Sequence, residues 1–315
     1  MNYQDASNQP GQSVTTVTVD EGHAGQRLDN FLIGLLKGVP RSRIYRIIRS
    51  GEVRTNGGRC KPSLKLNSGD RVRVPPVRVA ERSDTGKLSH SIDLTSRIIH
   101  QDREILVLDK PSGTAVHGGS GISAGVIEML KQDKFRGEYL ELAHRLDRET
   151  SGCLVLARSR KTLLHLHRLF NRSEDRLRKY YQAIVCGSLS TQKVTVREPL
   201  KKIRDRDGRS RVVVDSEGRP SMSVIRVLKT YENNLTLVEV QLLTGRMHQA
   251  RAHCAHLKLP ILGDRLYGDY ALNRQHGSKK LCLHAQRIEF PHPVDGRHMR
   301  FSADLPRHLI LDPID

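Results

Sequence analysis

A chain of 315 residues is long enough for a substantial core and two domains, and its 53 Lys+Arg against 34 Asp+Glu, net +19, point to a polyanionic partner: nucleic acid first, an acidic membrane second. No apolar run approaches the roughly 18 residues of a membrane-spanning helix, and the apolar stretch 31–36, broken by Gly34 behind a polar leader, is no signal peptide. The five cysteines are scattered, odd in number and form no C-x-x-C pair, which argues for a reducing cytoplasm and against a disulfide framework or zinc ribbon.

Residues 1–13, rich in Asn, Gln, Ser, Pro and Gly, read as a disordered tail. A small module is expected over 14–76. Leu28, Phe31, Leu32 and Leu35 recur at helical spacing; Pro40 then opens a second helix that Gly51 is placed to end. In that helix Ile44, Ile47 and Ile48 form the apolar stripe, with Arg43, Arg46 and Arg49 on the opposite side of the wheel. Such a face is either ordinary solvated surface or a phosphate-binding one. The local balance, ten Lys+Arg and two Asp+Glu between Arg41 and Arg73, favours phosphate. Asn56-Gly57 and Asn67-Ser68-Gly69-Asp70 are turn signals, and Arg71-Val72-Arg73-Val74 alternates like a strand with one buried face.

Pro75-Pro76 closes the module, and the polar, charged stretch 77–97 reads as a linker. A larger domain is expected over 98–315. Its strands read as 105–108, 153–157 and 181–185, followed by a hairpin of 224–231 and 235–243 turning at Asn233-Asn234. Leu163, Leu164, Leu166, Leu169 and Phe170 make a helical stripe expected to be plain core.

The chemistry concentrates at His144-Arg145-Leu146-Asp147-Arg148-Glu149-Thr150-Ser151-Gly152, directly ahead of the apolar run 153–157. Asp147 thus sits on a loop feeding a buried strand. Flanking arginines favour a charged carboxylate, which suits a nucleophile or general base; a helix cap or a salt bridge, with Arg145 as one partner, is the bland alternative. Lys179-Tyr180-Tyr181 heads a strand, where a tyrosine is more often core than catalytic. Thr244-Gly245-Arg246-Met247-His248-Gln249-Ala250-Arg251 ends a strand and opens a helix. His248, His253, Cys254 and His256 cluster there, and His253 and His256 have i,i+3 spacing. With no partner pattern such as H-E-x-x-H, core or RNA contacts are favoured over a metal site.

Taken in order, these motifs resemble the pseudouridine synthases, specifically the branch that modifies large-subunit ribosomal RNA. The loops Lys110-Pro111-Ser112-Gly113, followed by His117-Gly118-Gly119, and Gly263-Asp264-x-x-Tyr267-Gly268 also match. The stretch GVPRSRIYRIIRSGEVRTN resembles the alpha-L RNA-binding module, found also in a small-subunit ribosomal protein. The resemblance implies an α+β chain: an alpha-L module, then a catalytic domain with a mixed, mainly antiparallel sheet, flanking helices and a central cleft. It implies that uridine is flipped out of its stack, detached at N1–C1′, turned and rejoined through C5, with no cofactor and no metal.

By the same resemblance Asp147 is the essential carboxylate, and Tyr181 stacks on the base or takes the C5 proton. Arg251 pairs with Asp147 and orients it. Arg145 fills the space left by the flipped nucleotide or holds its backbone, Arg246 orders its loop or touches RNA, and Leu283 packs against the base. Ala250 and Met247 depart from the family's usual residues without removing a reactive group. The implied partner is 23S ribosomal RNA, free or within an assembling large subunit; the enzyme is expected to be a cytoplasmic monomer. Two alternatives stand beside this: the same reaction on another RNA, and an assembly factor that binds RNA without chemistry.

Overall fold

Two units make up the chain, divided between Ile92 and Asp93. The computed structural model describes residues 13–36, 38–77, 92–118, 124–171, 176–205, 208 and 210–311. The expected tail (except Ser13), most of the expected linker and Gly119 lie outside the described residues.

In the first unit, strand β1 (Thr15–Thr18) precedes helices α1 (Leu28–Leu35) and α2 (Arg41–Arg49). Strands β2 (Arg54–Thr55), β3 (Gly58–Arg59) and β4 (Arg71–Val74) follow. The sheet runs β1-β4-β2-β3, antiparallel throughout. Asn56 and Gly57, at φ 51° and 81°, supply the two left-handed residues that a tight hairpin between β2 and β3 needs. Leu28, Leu32, Ile44, Ile47, Ile48, Val72 and Val74 close over one core, while Arg71 and Arg73 point outward. Asp29 ties α1 to α2: it accepts from Arg27 at 2.6 Å and from the Tyr45 hydroxyl at 3.0 Å. Arg46 and Arg49 are exposed and Arg43 half-buried; none forms an ion pair among the described residues.

The second unit holds strands β5 (Ile98–Gln101) and β6 (Ile105–Lys110), helix α3 (Val126–Gln132), strands β7 (Glu141–Leu142) and β8 (Ser151–Ala157), and helix α4 (Arg160–Asn171). Then come β9 (Arg178–Cys186), β10 (Lys193–Val196), β11 (Leu200–Arg204), β12 (Ser210–Val214), β13 (Ser223–Tyr231) and β14 (Leu235–Leu242). Helices α5 (Gln249–His256) and α6 (Tyr270–Gln275) and strands β15 (Leu283–Pro291) and β16 (His298–Ser302) complete it.

The main sheet runs β10-β13-β14-β9-β15-β8-β6-β5, with β7 on β8 and β16 on β15. It is mixed and mainly antiparallel; only β8 and β15 pair in parallel. β15 therefore lies between two antiparallel halves, β10-β13-β14-β9 and β8-β6-β5. Gly152 makes that seam possible. Its φ is 105°, and a Cβ there would lie 2.3 Å from the Ala285 carbonyl oxygen. All seven residues of β8 are buried, as its unbroken apolar run predicts. The expected stripe on α4 needs one correction. Leu163, Leu166 and Leu169 are core and Phe170 packs against them while stacking on His144, but Leu164 is 40% exposed.

Candidate active site

Lys110 ends β6 fully buried, where its ammonium donates to the carbonyls of Pro111 (3.0 Å), Thr114 (2.9 Å) and Arg148 (3.0 Å). Burial pushes its pKa down to about 8, against the pull of Glu149 and Asp147. The Ser112 hydroxyl donates to the Glu149 carbonyl at 2.7 Å, and Gly113 and Arg148 exchange bonds at 2.9 and 3.0 Å. The 110–113 loop thus clasps the segment carrying Asp147, and β8 anchors that segment's other end. His144 accepts the Val155 amide at 3.0 Å and stacks on Phe170 at 4.6 Å. Burial, with the charge of Lys179, pushes its pKa down to about 3, so it is a neutral acceptor.

Asp147 projects into a cavity of about 430 Å³. Its Oδ2 accepts from Arg251 Nη1 at 3.4 Å, and its Oδ1 lies 3.7 Å from His248 Nε2. Arg251 gives its Nε and Nη2 to Asp264 at 2.7 and 2.8 Å, a two-point ion pair. Burial opposes both charges, yet Arg251 and the amides of Leu266 and Tyr267 hold the Asp264 carboxyl below its usual range. His248 occupies the left-handed region, φ 52°, at the turn into α5; its Nδ1 lies 2.9 Å from the Tyr267 hydroxyl, which itself accepts the Val212 amide. Burial lowers its pKa, partly offset by Asp147.

The turn ahead of α5 is organised by Gln249. Its Oε1 accepts from the Thr244 hydroxyl (2.7 Å) and the Arg246 amide (3.0 Å), and its Nε2 donates to the Met222 carbonyl and Ser223 hydroxyl, both at 2.9 Å. Across the cavity, β9 contributes Tyr181 and Lys179. The Tyr181 hydroxyl has no hydrogen-bond partner among the described residues. Burial first and the charge of Asp147 second push its pKa up, which opposes a proton-accepting role.

Of the residues singled out in the sequence, Asp147, Tyr181, Arg251, Arg145, Arg246 and Leu283 meet at this one cavity. Arg145 is exposed and does not pair with Asp147; that place belongs to Arg251 and His248. Arg246 donates to the Pro220 carbonyl at 3.1 Å. Arg43, Arg46 and Arg49 belong to the first unit. The histidine cluster separates: His253 bonds Ser221, Ser223 and the Glu198 carbonyl, Cys254 is core, and His248 alone reaches the cavity. Among the described residues no three His, Cys, Asp or Glu side chains converge as a metal site. Sequence reading gave no role to Lys110, Lys179, Asp264 or Tyr267. Three of the four lie in the family-matching loops 110–113 and 263–268; Lys179 opens Lys179-Tyr180-Tyr181, which matches the family's K-x-Y.

A carboxylate–arginine–carboxylate chain at a basic cavity, in a protein that also carries a separate basic module, fits an RNA-modifying enzyme, and relatives agree. The sequence model of the RNA pseudouridylate synthase family matches residues 104–256, and that of the S4 domain residues 26–72. The chain belongs to the pseudouridine synthase family, and RNA is its partner. Over most of its length it is similar to the ribosomal large subunit pseudouridine synthases C of Yersinia pestis (45% identity, covering 96% of this chain and 95% of that one) and Escherichia coli K12 (45%, covering 95% of each). The chain also resembles the solved structure of human RNA pseudouridylate synthase domain containing 4, with a TM-score of 0.56 and 27% identity, covering 69% of this chain and 91% of that one.

Proposed function

We propose that the chain converts specific uridines of 23S ribosomal RNA to pseudouridine, with Asp147 as the catalytic carboxylate. The observation that carries this is the geometry of Asp147, held at a cavity mouth by Arg251 while Arg251 is clamped from behind by Asp264. A flipped uridine enters with its C1′ beside Asp147, and the base lies on the Tyr181 ring, with Leu283 as an apolar wall. The upward push on the Tyr181 pKa supports stacking over removal of the C5 proton. Exposed Arg145 fills the space the nucleotide leaves, and Arg246 meets the strand at the rim.

The S4 domain brings the substrate in through Arg43, Arg46 and Arg49 on α2. The close likeness to synthases C over nearly the whole chain supports the large-subunit target; the protein is read as a cytoplasmic monomer that needs no cofactor. The test is a pseudouridine map of protein-free 23S RNA after incubation with wild-type protein and with Asp147→Asn. Discrete sites that depend on Asp147 are expected. Tight binding without modification by either protein would move the substrate to another RNA or a pre-ribosomal particle.

A further inference from the structure

Side chains alternate along a strand, so Lys179 shares a face of β9 with Tyr181, two residues away, and both line the cavity. The Lys179 ammonium has one hydrogen bond, to the Thr244 carbonyl at 3.3 Å, and no carboxylate partner among the described residues. The carboxylates of the adjoining strands are engaged elsewhere. Glu239 on β14 and Glu289 on β15 pair with Arg287, which lies 3.9 Å over the ring of Tyr180 on the opposite face. The charged or titratable groups whose electrostatics act with those of Lys179 are Arg246, from the turn ahead of α5, and His144, from the Asp147 loop, neither of them acidic. Burial, then the charge of Arg246, brings the amine down to about 8.

A cation dehydrated against another cation costs free energy unless an anion comes to meet it. Asp147 is not that anion. Its two oxygens face Arg251 at 3.4 Å and His248 at 3.7 Å, and it forms no ion pair with Lys179. The cavity therefore carries a carboxylate and, on β9, an ammonium that does not pair with it, on the strand face it shares with Tyr181. Exposed Arg145 and half-buried Arg246 are left for the phosphates of the RNA strand. A half-buried amine on the same strand face as the stacking tyrosine is placed for the base.

We propose that Lys179 is a catalytic residue whose ammonium binds the carbonyl edge of the uracil and holds the negative charge that the ring carries between detachment and rejoining. This rests on the reading that a flipped uridine occupies the cavity with its sugar at Asp147. The N1–C1′ bond breaks with its electron pair on the base, and the charge spreads from N1 to O2 and O4. Lys179 stabilises that anion by charge-assisted hydrogen bonds and gives up no proton. The C5–C1′ bond then forms, C5 loses its proton, N1 gains one, and the ring is neutral again.

The experiment compares single-turnover rates of the full chain with Lys179→Met and Lys179→Gln on the mapped RNA, alongside RNA affinity and thermal melting. Glutamine can keep the bond to Thr244 without the charge, so it serves if methionine disturbs the fold. We expect rates down by on the order of 10²–10³ with RNA affinity within about threefold of wild type. The fall in wild-type kcat/KM above a pH of about 8 should be absent from both variants. On RNA carrying 5-fluorouridine, whose fluorine itself stabilises the detached anion and leaves C5 no proton to lose, the reaction is read as formation of the C5–C1′ bond, and the loss should be smaller than for the same step on uridine. Rates near wild type, a loss confined to affinity, or equal losses on both substrates would overturn the role of Lys179. Wild-type and Asp147→Asn turnover in the same assay tests the functional reading separately: an active wild type, a dead Asp147→Asn and a fast Lys179→Gln sink the lysine's role alone.

Discussion

Arg251 makes its two short bonds to Asp264, at 2.7 and 2.8 Å, and reaches Asp147 only at 3.4 Å. The buried carboxylate fixes the guanidinium; Asp147 receives what is left over, and stays freer to engage a substrate. Asp264→Asn should therefore impair catalysis without touching RNA. We expect kcat to fall by on the order of 10², RNA affinity to hold, and stability to drop by about 3–5 kcal/mol from leaving a buried charge poorly paired. Turnover equal to wild type would separate Asp264 from the site.

Replacing Arg43, Arg46 and Arg49 together by glutamine should weaken RNA binding and flatten its salt dependence. Each lost phosphate contact removes about 0.7–0.9 from the slope of log affinity against log salt. An unchanged slope would make that face of α2 plain solvated surface.

Gly152→Ala and Gly57→Ala form a matched pair. Both glycines have positive φ, 105° and 81°, but a Cβ at Gly57 meets nothing within 4 Å, whereas at Gly152 it strikes the backbone of Ala285. Gly57→Ala should cost about 1–2 kcal/mol from backbone conformation alone. Gly152→Ala should cost well above that and reduce the yield of folded protein. Equal denaturation midpoints would refute the steric account.

His284 is buried between the Ser151 hydroxyl (2.8 Å) and the Ala303 carbonyl (3.3 Å), and burial pushes it down to about 4 from the usual 6.5. The folded chain keeps it neutral, while the unfolded chain takes up a proton once the pH drops below 6.5. Its contribution to stability is thus present at neutral pH and lost progressively between 6.5 and about 4, at about 1.4 kcal/mol per pH unit at most. Urea midpoints at the two ends of that window should differ less for His284→Gln than for wild type. The same drop in both would assign the acid sensitivity to other groups.

Local chemistry made much of this legible in the sequence. The unbroken apolar run of β8, the Asn233-Asn234 turn, with Asn234 at φ 58°, and the isoleucine stripe of α2 each obey a rule that acts within a few residues. So does the placement of Asp147 on a loop ahead of a buried strand. What escaped depends on partners far along the chain. Nothing local marks Lys110 as a buried brace, because its three carbonyl acceptors are contributed by both its own turn and Arg148. His248 looked like one of a histidine set, yet helix geometry turns His253 toward serines and leaves His248 at the carboxylate. Leu164 fits an apolar stripe by type but falls on the solvent side of α4.

The insertion of β15 between β9 and β8 sets an order of events during synthesis. Asp147 belongs to one half of the main sheet, Tyr181 and Arg251 to the other, and the strand joining the halves begins only at Leu283. A nascent chain that has emerged as far as α6 holds every reactive group but has no seam to bring them together. On the reading that Asp147 is the catalytic carboxylate, the site is completed only once β15 takes its place between β9 and β8.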